Sequence, residues 1–309
     1  MFDNFLLPAP DGALLSGAAL LFAVLVLAAL VVWCLDRCAG TRHEHGPDPR
    51  DHHPRALYVL GMVQLWERFA AFAALPLLVL YLEQHRGLST ERALLLLGLL
   101  QALSYLSGLP GGVLADRWLG ARRATLLGTV LLTLGYALLS RERLALMWAG
   151  LALLVAGHGL FKPGLNALAG SLYAEGDPRR DRGFLRLHVI FNVGAALAPA
   201  VAEWARARAG WRAVFQVSAG GMLLSLLVCA LAGLMLRASP RTVRGPVSVE
   251  GAASAQHLRI RACWLVCGLG VVYWLTAAQA TTSLTLFAAQ NTELTVRIGG
   301  HALAVAPGH

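Results

Sequence analysis

The sequence predicts an all-α fold, a polytopic membrane protein of successive helical spans, and three observations predict it. Hydrophobic residues make up 57% of the 309 positions and charged residues only 14%, where soluble globular domains carry roughly 25% charge. The mean hydropathy is +0.60. The apolar residues come in long continuous runs rather than alternating ten-residue segments, which points to helices and away from a β-barrel. A disordered tail, a disulfide-rich secreted module and an ordinary cytosolic enzyme are excluded by the same numbers. Five cysteines (Cys34, Cys38, Cys229, Cys263 and Cys267) lie in or beside apolar runs and form neither a disulfide framework nor a zinc spacing. Cys263 and Cys267, four apart on one helix face, read as small packing side chains.

Taken in order, the first span is the uncharged stretch Gly12–Leu35, whose 24 residues make about 36 Å of helix. Asp3 and Asp11 precede it where a cleaved leader would be basic, so it reads as an uncleaved anchor. Seven further spans are expected at 57–82, 94–115, 124–140, 144–170, 184–204, 213–236 and 262–288. With the amino terminus outside, the inner segments 36–55, 116–123, 173–186 and 237–261 hold sixteen arginines against eight in the outer segments. This is the positive-inside pattern. Most of the formal charge of +9 is therefore topology, and nucleic acid is not an expected partner; the bilayer is. The linker 36–55 carries His43, His45, His52 and His53 among Glu44, Asp48 and Asp51. It reads either as a solvated tether or as a transition-metal site, and no metal ligand set or cofactor is assigned. The predicted divisions are 1–55 (anchor and linker), 56–236 (a six-helix bundle), 237–261 (a second cytosolic linker) and 262–309 (the start of a further bundle).

Three charges fall inside spans. Glu67 and Arg68 lie near the middle of 57–82, and Lys162 lies well within 144–170. Each costs at least about 2.5–3.5 kcal/mol at the bilayer centre, so they must face one another or a wet cavity. Gln64, Glu67 and Arg68, at i, i+3 and i+4, share one helix face. Lys162 is the single lysine beside 25 arginines. Arginine would serve a plain charge pair equally well, whereas a desolvated lysine can give up its proton. A titrating or substrate-contacting role is expected for Lys162, with a register-fixing ion pair as the alternative.

The turn 111–123, Gly-Gly-Val-Leu-Ala-Asp-Arg-Trp-Leu-Gly-Ala-Arg-Arg, resembles the loop signature of the major facilitator superfamily, in which Asp and Arg latch neighbouring helix ends. Asp116, Arg117, Gly120, Arg122 and Arg123 match it. An aspartate there can accept bidentate bonds from arginine or cap a helix terminus. Residues 54–82, with Gln64-Leu65-Trp66-Glu67-Arg68-Phe69, resemble the first helix of the proton-dependent oligopeptide transporters (the POT family). The stretch 159–184, with Gly-Leu-Phe-Lys-Pro at 159–163, Leu172-Tyr173 and Asp-Pro-Arg-Arg-Asp-Arg-Gly-Phe at 177–184, is similar to that family's long signature, continuing through Asn192-Val193-Gly194 to Pro199. Residues 274–293 resemble its seventh helix.

The resemblance implies the amino-terminal six-helix bundle of the facilitator fold, preceded by one extra helix and followed by the first helix of a second bundle. It implies secondary transport of di- or tripeptides or related zwitterionic solutes across the cell (inner) membrane, with protons as coupling ions and no enzymatic activity. Glu67, Arg68 and Lys162 would form the coupling network; Gln64, Phe72, Tyr105 and Asn192 would line the substrate site. Asn192 and Tyr105 also read as interhelical packing groups. Several positions depart from the family pattern. Gln64 stands for a glutamate, Ala71 and Phe72 for paired tyrosines, Leu75 for a carboxylate-clamping arginine, and Ala278 for a glutamate before Gln279. An amide hydrogen-bonds but does not titrate. His158 and His188 read either as replacement titrating groups or as interhelical hydrogen-bond partners. Because alternating access needs two halves, a fragment of a longer transporter, or a transport-incompetent scaffold retaining the signatures, is expected beside an active one.

Overall fold

The long apolar runs become helices because lipid offers their backbone groups no other partner, and the runs end where glycine, proline or charge gathers. The computed structural model describes residues 53–235 apart from 142 and 175, the helix 253–277, residues 279, 283, 284, 287 and 291, and the strands 295–298 and 301–304. All belong to one of the two units into which the chain divides, residues 49–309. The expected anchor 12–35, His43, His45, His52 and Ala278 lie outside the described residues.

Helix α1 (Arg55–Leu80) runs on into a π-helical turn, Tyr81–His85. Helices α2 (Thr90–Leu106) and α3 (Gly108–Leu114), with a second π turn at Ala115–Leu119, make the next crossing. There follow α4 (Ala121–Leu139), α5 (Leu144–Gly170), α6 (Arg179–Ala209), α7 (Trp211–Met235) and α8 (Ala253–Ala277). Among the described residues five stretches are long and apolar enough to cross a membrane: Arg55–His85, Thr90–Leu119, Leu144–Gly170, Arg179–Ala209 and Trp211–Leu231. The helical fold expected from the sequence is present.

Several ends differ from expectation, each for a local reason. The span expected at 94–115 is interrupted at Ser107, whose hydroxyl donates to the Ser104 carbonyl (3.0 Å) and across to the Val155 carbonyl of α5 (2.8 Å). Helix α6 outruns its expected 184–204 at both ends. Asp181 in its first turn and Arg206 and Arg208 in its last oppose the helix dipole favourably, and the Arg206 Nε donates to Glu203 at 2.8 Å. Helix α8 starts at Ala253 rather than 262, because the arginine- and alanine-containing segment ahead of the apolar run also favours helix. Beyond it, Thr295–Ile298 and His301–Ala304 pair antiparallel in the register Ile298↔His301. This ribbon was not expected, although a Gly-Gly pair between β-rich segments is a hairpin signal.

Helix α4 packs along α5, α1 lies against both α6 and α7, and α4 also meets α7, which ties the two groups together. Trp66, Phe69, Tyr136, Phe161 and Phe215 fill the interior. Close approach depends on absent side chains. A Cβ on Gly150 would stand 2.8 Å from the Gly135 carbonyl oxygen, and a Cβ on Gly111 of α3 would overlap the Gly159 carbonyl of α5. In lipid such small-residue contacts replace the hydrophobic drive that water would supply. Two turns need glycine for its backbone: Gly120 (φ 74°, ψ 151°) and Gly210 (φ 74°, ψ −169°) occupy a region essentially closed to other residues.

At the end that the arginine distribution assigns to the cytosol, His53 Nδ1 and the Tyr173 hydroxyl lie 2.7 Å apart. This joins the start of α1 to the α5–α6 connection. Beside them Arg186 donates to the Tyr58 hydroxyl at 3.0 Å. Burial, reinforced by Arg186, Arg179 and Arg182 and opposed by Asp177, lowers the His53 imidazole from 6.5 to about 4. Burial raises the Tyr173 phenol to about 12, so both partners are neutral near neutral pH.

Two outcomes follow from this packing. Replacing Gly150 with Leu overpacks the α4–α5 seam and lowers stability by about 1–3 kcal/mol, read as a lower thermal midpoint in detergent. The unfolded chain protonates His53 near pH 6.5 and the folded chain only near 4, so its contribution is complete above that interval and is lost as the pH falls through it. H53Q removes this component of the pH dependence, checked by comparing unfolding of the variant and the unaltered protein on either side of the interval.

Candidate functional site

The site is built where α1, α2, α5 and α6 approach one another in the interior of the bundle. Helix α1 contributes the carboxylate of Glu67, which is 1% exposed and cannot stay ionised there without partners. Arg68 supplies them: Nε donates to Oε2 at 2.7 Å and Nη2 to Oε1 at 3.1 Å. Neighbouring residues on a helix ordinarily point apart, so this two-armed grip requires the long arginine to wrap back toward Glu67. The outer side of the guanidinium is covered by Phe191 of α6, whose ring centre lies 5.8 Å from Cζ.

Helix α5 contributes two further groups, a turn apart on one face. The Nδ1 of His158, a buried residue, stands 3.5 Å from Glu67 Oε1. Lys162 is half-buried and places its Nζ 4.4 Å from the centre of the Tyr105 ring of α2, a cation–π contact. Among the described residues no carboxylate pairs with Lys162, although it stands within electrostatic reach of Arg68 and Glu67. Tyr105 is 52% exposed and meets Trp274 of α8, ring centres 5.9 Å apart.

The structure thus gathers Glu67, Arg68, Lys162 and Tyr105, four of the residues expected from the sequence. Gln64 and Phe72 are half-buried on α1. Asn192 is exposed on α6, and its amide nitrogen donates to the His188 carbonyl at 2.7 Å, leaving its oxygen for another partner. His188 is exposed and packs on Phe191 with ring centres 4.3 Å apart. In the loop, Asp116, Arg117 and Arg123 are exposed and Arg122 is half-buried. Among the described residues Asp116 forms no ion pair, so the loop is present without an Asp–Arg latch. His53 is engaged by Tyr173, and no group of three or more metal-ligating side chains occurs among the described residues.

Two residues here escaped the sequence reading. Phe191 caps Arg68, and apolar neighbours on α6 gave no signal for it. Tyr136 of α4 is buried with its hydroxyl unpartnered and within electrostatic reach of Glu67 and Arg68. As a lone phenol in an apolar run it was visible as an anomaly.

Residues 57–308 match the sequence model of the Major Facilitator Superfamily. The peptide transporter YePEPT of Yersinia enterocolitica is 36% identical over 184 residues, covering 57% of this chain and 36% of the relative. The dipeptide and tripeptide permease A of Edwardsiella piscicida is 34% identical over 176 residues, covering 56% and 36%. The chain therefore spans about a third of the length of these curated relatives. Among solved structures, a POT family transporter in complex with a thioalcohol-conjugated peptide shares the fold with a TM-score of 0.67 at 23% identity, over 83% of this chain and 66% of that one. A bacterial homologue of the human drug peptide transporters aligns with a TM-score of 0.64 at 27% identity, over 82% and 66%. The chain belongs to the Major Facilitator Superfamily.

Proposed function

We propose that the protein takes part in secondary active transport of di- or tripeptides, or related zwitterionic solutes, across the cytoplasmic membrane, with protons as the coupling ion and the amino terminus outside. The observation that carries this reading is the Lys162 ammonium held over the half-exposed Tyr105 ring, beside the Glu67–Arg68 pair. A zwitterion presents a carboxylate and an ammonium together. Lys162 is a cation with no carboxylate partner among the described residues, so it meets the first. The Asn192 carbonyl oxygen and Gln64 offer hydrogen bonds to the peptide backbone, and Phe72 and Tyr105 offer apolar walls. Leu75, in place of a clamping arginine, passes carboxylate recognition to Lys162 and Arg68. The names of the curated relatives, peptide transporters and di- and tripeptide permeases, support the same substrate class.

The protein is reconstituted in proteoliposomes and uptake of a labelled dipeptide is followed under an imposed inward proton gradient. Uptake above protein-free vesicles that collapses with a protonophore is the expected result. No uptake by folded protein overturns it in favour of a transport-incompetent membrane scaffold. In the same vesicles K162R keeps the charge but not the exchangeable proton. It is expected to lower gradient-driven uptake at least about tenfold, equivalent to ~1.4 kcal/mol. Unchanged uptake would reduce Lys162 to a plain charge partner.

A further inference from the structure

Among the described residues two buried side-chain polar atoms lack hydrogen-bond partners, His158 Nδ1 and the Tyr136 hydroxyl. Buried polar atoms are ordinarily satisfied, so orphans beside a buried carboxylate need a reason. His158 Nδ1 stands 3.5 Å from Glu67 Oε1, within ion-pair distance yet outside hydrogen-bond geometry. The same Oε1 accepts the longer of the two Arg68 bonds, at 3.1 Å, while the Nε bond to Oε2 is 2.7 Å. Oε1 is therefore the oxygen for which a second donor competes. The groups facing the imidazole are Glu67 and Arg68 of α1 and, one turn along its own helix, Lys162. Tyr136 of α4 lies within reach of the same pair, Tyr105 of α2 stands over Lys162, and α6 contributes the uncharged Phe191 ring.

We propose that His158 and Glu67 together hold one transferable proton, and that its arrival loosens the Nη2 arm of Arg68 from Glu67. The inference rests on the transport reading and gives it a proton site that Gln64, an amide, does not supply. The step is a proton transfer from hydronium of the solvent. Its O–H bond breaks, an N–H bond forms at Nδ1, and water is left. The imidazolium then donates to Oε1 in place of Arg68 Nη2. If the proton passes on to Oε1, the imidazole is neutral again and the carboxyl is uncharged. In both forms the pair has gained one positive charge, and Arg68 is left with a weakened counter-charge. The freed guanidinium arm then has capacity for an incoming carboxylate, which couples proton entry to recognition of an anionic group. Lys162, at i+4 from His158, senses the same change in charge.

The test is infrared difference spectroscopy of the full chain in liposomes across a pH titration, following the high-frequency carboxyl band of a buried acid. Glu67 is the buried carboxylate among the described residues. H158Q, which hydrogen-bonds but does not titrate, is expected to move the midpoint of that band by about one pH unit or more, the coupling of an interacting pair. A midpoint unmoved in folded H158Q overturns the proposal. H158N is the second variant should H158Q not fold. If neither folds, the unaltered protein decides: carboxyl and imidazole bands rising on one midpoint support the pair, and well-separated midpoints overturn it. None of these readings requires transport. A coupled midpoint in a protein that moves no dipeptide overturns the transport reading alone, and dipeptide uptake with an unmoved midpoint overturns the shared proton alone.

Discussion

Burying the Glu67 carboxylate is the constraint from which most of this architecture follows. An ionised carboxylate in the interior of a membrane bundle is tolerable only with good geometry and satisfied lone pairs. Arg68 meets that need from the same helix at 2.7 and 3.1 Å, which removes the usual requirement for a cation on a facing helix. Helices α5 and α6 then supply what surrounds the pair: an imidazole, a lysine one turn away, and an aromatic ring over the guanidinium. The pair contributes less to stability than its short distances suggest, because desolvation offsets much of the attraction. Its effect is to fix which face of α1 turns inward.

Lys162 shows how a charge can be held where, among the described residues, no carboxylate pairs with it directly. A ring face 4.4 Å from the ammonium stabilises it by the quadrupole of the phenol, while half-exposure of the aromatic keeps solvent near. The arrangement leaves the ammonium electrostatically under-compensated.

How much of this was legible in the sequence depends on what each residue's chemistry forbids. Glu67, Arg68 and Lys162 were legible because charge within an apolar run has few explanations, and because one lysine among 25 arginines is itself informative. The spans were legible from hydropathy, but their ends were not. Ser107 breaks a crossing by bonding to Val155, a tertiary contact without local signature, and α6 is prolonged by charges that a hydropathy reading treats as terminators. Phe191 was invisible, since an apolar residue on a lipid-spanning helix says nothing about which neighbour it covers. Tyr136 and the Gly299-Gly300 dipeptide were signals present in the sequence and passed over. His158 was noticed, but its proximity to Glu67 depends on the crossing of α1 and α5, which no single-sequence period encodes.

The contact between Gly111 and Gly159 has a mechanical consequence. Backbone meets backbone there without an intervening side chain, so α3 and α5 have almost no slack along their common line. Gly159 adjoins His158 and lies one turn before Lys162, while Gly111 lies one turn before the loop at Ala115–Gly120. Two stiff helices bolted at one point behave as a lever of fixed length. A tilt that carries the lysine along the helix axis must carry the loop arginines with it, so charge in the bundle interior and charge at its rim move together.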